Sequence, residues 1–203
     1  MKYKWLNKIN SSKLIIFFNG WGMDEEVVSH LKYGDYDVLM FYDYNSLKTD
    51  FNFAELGNYT EKNLIAWSMG VMTATLFNIN YDKKTAVNGT LKPIDNSYGI
   101  PLRIYDLTVK NFSPAGCEKF VQNMFDDKTK SIKINRDFSE IKNELSALKS
   151  YSANENFKYD KIIISNNDKI IPTKNQIAFW EIEPNVNAGH APFYKFSEWS
   201  ELL

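Results

Sequence analysis

The chain has 203 residues, 44% hydrophobic and 24% charged, which is enough apolar material for one domain to bury a core. Its 24 Lys and Arg nearly match 25 Asp and Glu, and a net charge of −1 speaks against wholesale binding to nucleic acid or a membrane surface. One cysteine, Cys117, and two histidines exclude an internal disulfide and a structural zinc cluster, and Cys117 itself reads as a small buried hydrophobe. Met1 to Lys8 carries charge without the apolar stretch of an export signal, and no apolar run nears membrane-spanning length, so a reducing cytoplasm is expected.

In chain order, Leu14-Ile15-Ile16-Phe17-Phe18 reads as a strand buried on both faces and stopped by Asn19-Gly20. Asp24-Glu25-Glu26 then opens a helix, acids favouring its positive end. Val38 to Tyr42 is a second strand and Asn63 to Trp67 a third, with a helix following over Val71 to Phe77. A weaker strand ends near Ala86-Val87-Asn88-Gly89-Thr90. From Ser113 to Ser150 the pattern turns helical. Ser113-Pro114 starts one helix, with Cys117, Phe120, Val121, Met124 and Phe125 on one face, and Phe138, Ile141, Leu145 and Leu148 mark another. Lys161 to Ile164 is the last strong strand, before a helix that Thr173 would cap and that carries Ile177, Phe179 and Trp180. This alternation predicts an α/β protein: a mostly parallel sheet with helices on both faces, as one domain over 1–203 with a small helical cap inserted over approximately 106–152.

Ala66-Trp67-Ser68-Met69-Gly70 joins the third strand to the helix after it. Small-x-Ser-x-Gly in that context predicts a sharp turn, with small residues where the two backbones meet and the serine hydroxyl exposed at the sheet's C-terminal edge. A helix N-terminus behind Ser68 favours negative charge developing nearby. Ala66 replaces the strict motif's glycine, and read alone the stretch is also a turn with an incidental serine. Acyl transfer at a serine needs two backbone N–H groups aimed at the oxyanion, one after the nucleophile and one from an earlier strand-end loop. In Phe17-Phe18-Asn19-Gly20-Trp21-Gly22-Met23 that assigns Trp21, to act with Met69; Gly20 and Gly22 permit close approach, Asn19 braces the loop, and the Trp21 ring lines the site.

His190 lies in Asn187-Ala188-Gly189-His190-Ala191-Pro192-Phe193, a small-residue loop near the C-terminus, whereas His30 falls on an expected helix and reads as a surface or satisfied residue. Asp168 follows the last strong strand, where an acid can fix the histidine tautomer and stabilise the imidazolium. The order Ser68, Asp168, His190 suits this architecture. Asp95, after the weaker strand, is the competing acid, and Asp168 read only as a turn residue stays open.

Together these segments resemble an α/β-hydrolase and, more narrowly, the BioG family of pimeloyl-[acyl-carrier protein] methyl ester esterases. The resemblance rests on Phe18 to Met23, Ala66 to Gly70, Asn88-Gly89-Thr90 with Pro93-Ile94, Gly99-Ile100-Pro101 and Gly189 to Phe193, which span most of the chain in order. It implies a compact α/β-hydrolase fold and hydrolysis of a methyl ester on a pimeloyl chain held by acyl carrier protein, in biotin synthesis. Ser68 is then the nucleophile, Asp168 the orienting acid, His190 the base, and Trp21 and Met69 the oxyanion donors; no metal or organic cofactor is needed. Ala66 is consistent with this family. Phe120, Met124, Phe125 and Met23 are candidates to line the acyl site, though a helical apolar stripe also fits the cap's own core. An acidic carrier predicts a basic docking surface, for which Lys128, Lys130, Lys133 and Arg136 form a short run flanked by Asp126, Asp127 and Asp137. A monomer is expected. The competing readings are a generic carboxylesterase or thioesterase on small acyl substrates, and a non-catalytic binding protein on a hydrolase fold.

Overall fold

The computed structural model describes residues 1–127 and 129–203. Its centre is made by the apolar runs, which leave no strand face for water. In β2 (Lys13–Phe18) every residue from Leu14 onward is buried, and β3 (Asp37–Tyr42) and β4 (Glu61–Trp67) carry similar runs. With β1 (Lys2–Asn7), β5 (Lys83–Val87) and β6 (Lys161–Ile163) they form, among the described residues, a six-stranded sheet ordered β1-β3-β2-β4-β5-β6. β1 is antiparallel to β3 and the other pairings are parallel, the mostly parallel α/β architecture expected from the sequence. Phe18 pairs with Phe41 and Ala66, Trp67 with Val87, and Val87 with Ile163. The parallel strands therefore end level, and their following loops emerge along one edge, where open parallel sheets bind ligands.

Side chains alternate between two cores. Leu14, Ile16 and Phe18 join Leu39, Phe41 and Leu64 on one face; Ile15 and Phe17 join Val38, Met40, Ile65 and Trp67 on the other. β1 was not among the expected strands. Lys2-Tyr3-Lys4-Trp5 alternates cation and ring, so Tyr3 and Trp5 pack edge-on to Phe51 while the lysines blunt an exposed sheet edge.

The helices depart from expectation at their ends. α1 (Met69–Thr73) begins earlier than Val71 and tightens into a 3-10 turn at Ala74–Leu76. The acidic start yields only a 3-10 turn, Glu25–Val28, capped by Asp24; the chain is then drawn away where the Lys32 N–H donates to Ser197 O at 3.0 Å. In α5 (Thr173–Trp180) Thr173 is not the cap. Pro172 holds that position, and the Thr173 hydroxyl donates to Ser165 O at 2.8 Å while accepting from the Asp168 N–H at 3.2 Å. No helix among the described residues is long and apolar enough to cross a membrane.

Among the described residues, three helices lie between β5 and β6. α3 (Pro114–Asn123) starts as expected, the Ser113 hydroxyl accepting from the Gly116 N–H at 3.1 Å. α2 (Leu102–Lys110) starts ahead of the expected insertion and was not foreseen. Only its Tyr105 is buried while Ile104 and Leu107 are exposed, so it lacks a full inward stripe. α4 (Phe138–Leu148) buries Ile141, Glu144, Leu145 and Leu148 and is tied to the sheet by polar groups. Asn45 donates to Glu140 O at 2.9 Å, the Trp21 indole donates to Ile141 O at 2.9 Å, and Glu144 Oε1 accepts from the Tyr44 N–H at 2.9 Å. Glu144 Oε2 also pairs with Arg136 Nη1 at 2.7 Å, and Arg136 Nη2 lies 3.2 Å from Asp43 Oδ1. Burial pushes the Glu144 carboxyl above the usual glutamate range, and the Arg136 guanidinium pulls against that rise.

Arg136→Ala strands the Glu144 charge in the interior and is expected to cost about 3–5 kcal/mol in urea denaturation at neutral pH. Because losing the guanidinium lifts the folded-state Glu144 carboxyl still further above its unfolded value, the loss should deepen as pH rises above the ordinary glutamate range and shrink below it.

Candidate active site

Ser68 occupies the turn between β4 and α1 with φ +56° and ψ −121°, a region that side chains other than glycine rarely enter. Its N–H still donates to Val87 O at 3.0 Å, so the ladder continues up to the residue that breaks it. The turn brings α1 against the end of β2. A Cβ on Gly70 would stand 2.2 Å from Phe18 O and 2.7 Å from Asn19 O, which is why only glycine serves there. The hydroxyl thus sits at the level ends of the parallel strands, in front of a helix start.

Two later loops converge on it. His190 Nε2 lies 2.9 Å from Ser68 Oγ, and His190 Nδ1 lies 2.7 Å from Asp168 Oδ2, with all three residues buried. A carboxylate at Nδ1 keeps the ring proton on that nitrogen and leaves Nε2 to accept from the serine. Asp168 is itself held: Oδ1 accepts from the Ile170 and Ile171 N–H groups at 2.8 and 3.0 Å, and Oδ2 from Gln176 Nε2 at 2.8 Å. The His190 backbone is anchored from below, its carbonyl accepting from the Trp67 indole at 2.8 Å and from Asn88 Nδ2 at 2.9 Å. A hydroxyl, imidazole and carboxylate in such a line can carry a proton off the serine and return it to a leaving group.

The loop after β2 closes the opposite side. Gly20 O accepts from the Met23 N–H at 3.3 Å, and Gly22 takes φ +73°. Asn19 braces the loop: its Oδ1 accepts from the Gly20 N–H at 2.8 Å and its amide donates to Asp24 O at 2.8 Å. The Gly22 N–H donates to Glu144 Oε2 at 3.2 Å. Trp21, Ser68 and Met69 line a cleft of about 230 Å³ whose walls include Ile100, Ile104, Phe120 and Leu145, with Lys119 and Lys169 also on its lining.

The family model for pimeloyl-ACP methyl esterase BioG matches residues 1–202. The chain belongs to the BioG family. The crystal structure of BioG from Haemophilus influenzae matches with a TM-score of 0.88 and 32% identity, covering 100% of this chain and 99% of that one. An uncharacterized protein of Haemophilus influenzae is 34% identical over 203 residues, 93% of each chain. A protein of Bacteroides fragilis named malonyl-[acyl-carrier protein] O-methyltransferase is 36% identical over 179 residues, 82% of this chain but 36% of that longer protein. A hydrolase from Oleispira antarctica matches with a TM-score of 0.66 at 13% identity, covering 98% and 90% of the two chains; this shows the shared α/β-hydrolase fold alone.

Within this BioG-family fold, Ser68, Asp168, His190, Trp21 and Met69 come together at one sheet edge. Asp95 does not join them; its Oδ1 accepts from the Ser97 and Tyr98 N–H groups in an exposed turn. His30 is exposed, with Nε2 3.0 Å from Phe193 O. Of the expected acyl-site residues only Phe120 lines the cleft. Met23, Met124 and Phe125 are buried in the core on the Ile15 and Phe17 side of the sheet, because the chain around Met124 runs beneath the His190 loop, with Met124 O accepting from the Ala191 N–H at 3.0 Å. Arg136 is no docking residue either, since its side chain is 5% exposed and committed to Glu144 and Asp43. Lys130 and Lys133 are exposed, and Lys128 lies outside the described residues.

Asn88, Gln176, Trp67 and Glu144 were not singled out for roles from the sequence. Asn88 had a signal, a polar residue directly after a strand, and it holds both converging loops. Its Oδ1 accepts from the Ser165 N–H at 2.7 Å, while Nδ2 donates to Ser165 Oγ at 2.7 Å and to His190 O. Asn88→Ala should lower unfolding stability by about 2–3 kcal/mol in denaturant titration, leaving buried groups on two loops unpaired. Hydrolysis by the variant that stays folded should fall as His190 loses its support.

Proposed function

We propose that this chain is a serine esterase that removes the methyl group from the distal ester of a pimeloyl chain carried on acyl carrier protein. The observation that carries this reading is the unbroken line from Ser68 Oγ through His190 to Asp168, opening on a largely apolar cleft in a BioG-family chain. Ser68 Oγ attacks the ester carbonyl as His190 Nε2 takes its proton. Asp168 keeps the ring oriented and stabilises the imidazolium. The oxyanion takes hydrogen bonds from the Met69 and Trp21 N–H groups; those of Gly20 and Gly22 are already engaged, by Asn19 and Glu144. Protonated His190 hands its proton to the departing methoxide, releasing methanol. A water deprotonated by His190 then attacks the acyl-enzyme, and collapse returns the proton to Ser68 Oγ as the free carboxylic acid leaves and ionises in solvent. No step calls for a metal or organic cofactor, and one chain supplies every group.

Ile100, Ile104, Phe120 and Leu145 suit an aliphatic chain, and Lys119 and Lys169 give the cleft cations for an anionic carrier. Exposed Lys130 and Lys133 are further candidates to meet an acidic carrier, and we place the reaction in the cytoplasm. The Bacteroides fragilis relative supports the carrier linkage, because a protein named for methylating a carrier-bound acid contains a segment 36% identical to this chain. Mass spectrometry of methyl-pimeloyl acyl carrier protein is expected to show loss of the methyl group with the thioester intact, abolished by Ser68→Ala. Asp168→Asn should lower kcat by about 10⁴-fold, since it offers His190 the wrong tautomer. An unchanged carrier together with hydrolysis of small aryl esters would reassign the chain as a general esterase.

A further inference from the structure

Resting on the serine esterase reading, we infer that Glu144 of α4 is a positioning residue for the oxyanion loop: its carboxylate pins the Trp21–Gly22 peptide and, with the Trp21 indole held by Ile141 O, limits how far Trp21, whose N–H lies in the preceding Gly20–Trp21 peptide, can shift beside Ser68. Three observations carry this. First, Gly20 to Met23 is a four-residue turn closed by the Met23 N–H on Gly20 O, with Gly22 at φ +73° in its third position. That is the type II form, which differs from type I by a flip of the central peptide. The Gly22 N–H belongs to that peptide and donates to Glu144 Oε2 at 3.2 Å. Flipped, the peptide would turn the Trp21 carbonyl toward the same carboxylate, so Glu144 selects one form of the turn.

Second, α4 grips the residue on either side of that peptide. Ile141 and Glu144 share one helix face; Ile141 O accepts from the Trp21 indole at 2.9 Å while Glu144 takes the Gly22 N–H. Third, the carboxylate is paired. An isolated negative charge behind the loop would oppose charge building on an oxyanion, and Arg136 Nη1 at 2.7 Å offsets it. The other Glu144 oxygen holds the Tyr44 N–H at the end of β3, so the donor loop is in shape only while α4 is seated on the sheet.

Two variants test this. Glu144→Gln keeps an oxygen for Gly22 but weakens the tie to Arg136. The double variant Glu144→Leu/Arg136→Met removes acceptor and cation together, an apolar exchange that buried ion pairs tolerate. The double variant is expected to fold and to show kcat on the methyl ester lowered by about 10- to 100-fold with KM within about threefold of the parent. Its inhibition constant for a trifluoromethyl ketone, which binds as a tetrahedral oxyanion, should rise in step with the fall in kcat, and Glu144→Gln should recover part of both. Amide hydrogen exchange should lose protection at Gly22 while Ile16, Leu39 and Ile65 in the sheet keep theirs. A folded double variant with parental kcat, or with Gly22 still protected, would overturn the assignment, as would parallel changes in KM and ketone affinity. If the parent chain hydrolyses no ester, the esterase reading falls and exchange at Gly22 decides the positioning role by itself.

Discussion

The structure turns on the close approach of α1 to the end of β2. To place a serine hydroxyl in front of a helix start, the chain must pass from strand to helix within one residue, and Ser68 absorbs that reversal at φ +56°. Such a conformation costs on the order of 1–3 kcal/mol and persists only where its surroundings over-determine it. Here they do. The Ser68 N–H is held by Val87, and Gly70 lies against the carbonyls of Phe18 and Asn19. Level strand ends then bring the later loops to the same edge, so the position of one strained residue sets where the others must arrive.

Holding those loops in place falls to polar groups buried behind Ser68, His190 and Asp168. Asn88 bonds to the loops carrying Asp168 and His190, Gln176 bonds to Asp168, and the Trp67 indole bonds to the His190 carbonyl. Each satisfies a buried backbone or carboxylate group that would otherwise lose its water, so stability and site geometry rest on the same bonds. The seating of α4 works the same way. Glu144 and Arg136 bury a charge pair in order to tie α4 to β3 and to the loop after β2, and such a pair specifies geometry more than it adds stability.

How much was legible depended on whether the signal was local. Continuous apolar runs marked β2, β3 and β4, because a strand covered on both faces needs nothing else. The Ser68 turn was legible because the small residues it needs, Ala66 and Gly70, flank the serine within five residues, although the carbonyls that demand Gly70 belong to the distant end of β2. β1 carried only a short alternation, and α2 carried apolar residues that stay exposed, so neither showed a buried face in one dimension. Met124 and Phe125 read as cap residues from helical spacing, yet spacing says which side chains share a face and not what that face meets. The same limit made Arg136 look like a surface cation until Glu144, eight residues on in α4, and Asp43, far back in the chain, came to rest against it.

The sequence by itself determined the α/β class, the strand-to-helix turn at Ser68, and which serine, histidine and glycines were suited to one site, since these follow from periodicity, local sterics and the scarcity of histidine. Only the tertiary structure decided that Asp168 rather than Asp95 meets His190, that Phe120 alone among the expected acyl-site residues reaches the cleft, and that Asn88, Gln176 and Glu144 stand behind the residues gathered there. Those are choices among residues of the same chemical kind at long sequence separation. They are settled by which groups share a buried volume and must satisfy one another there, a condition that exists only once the chain has folded.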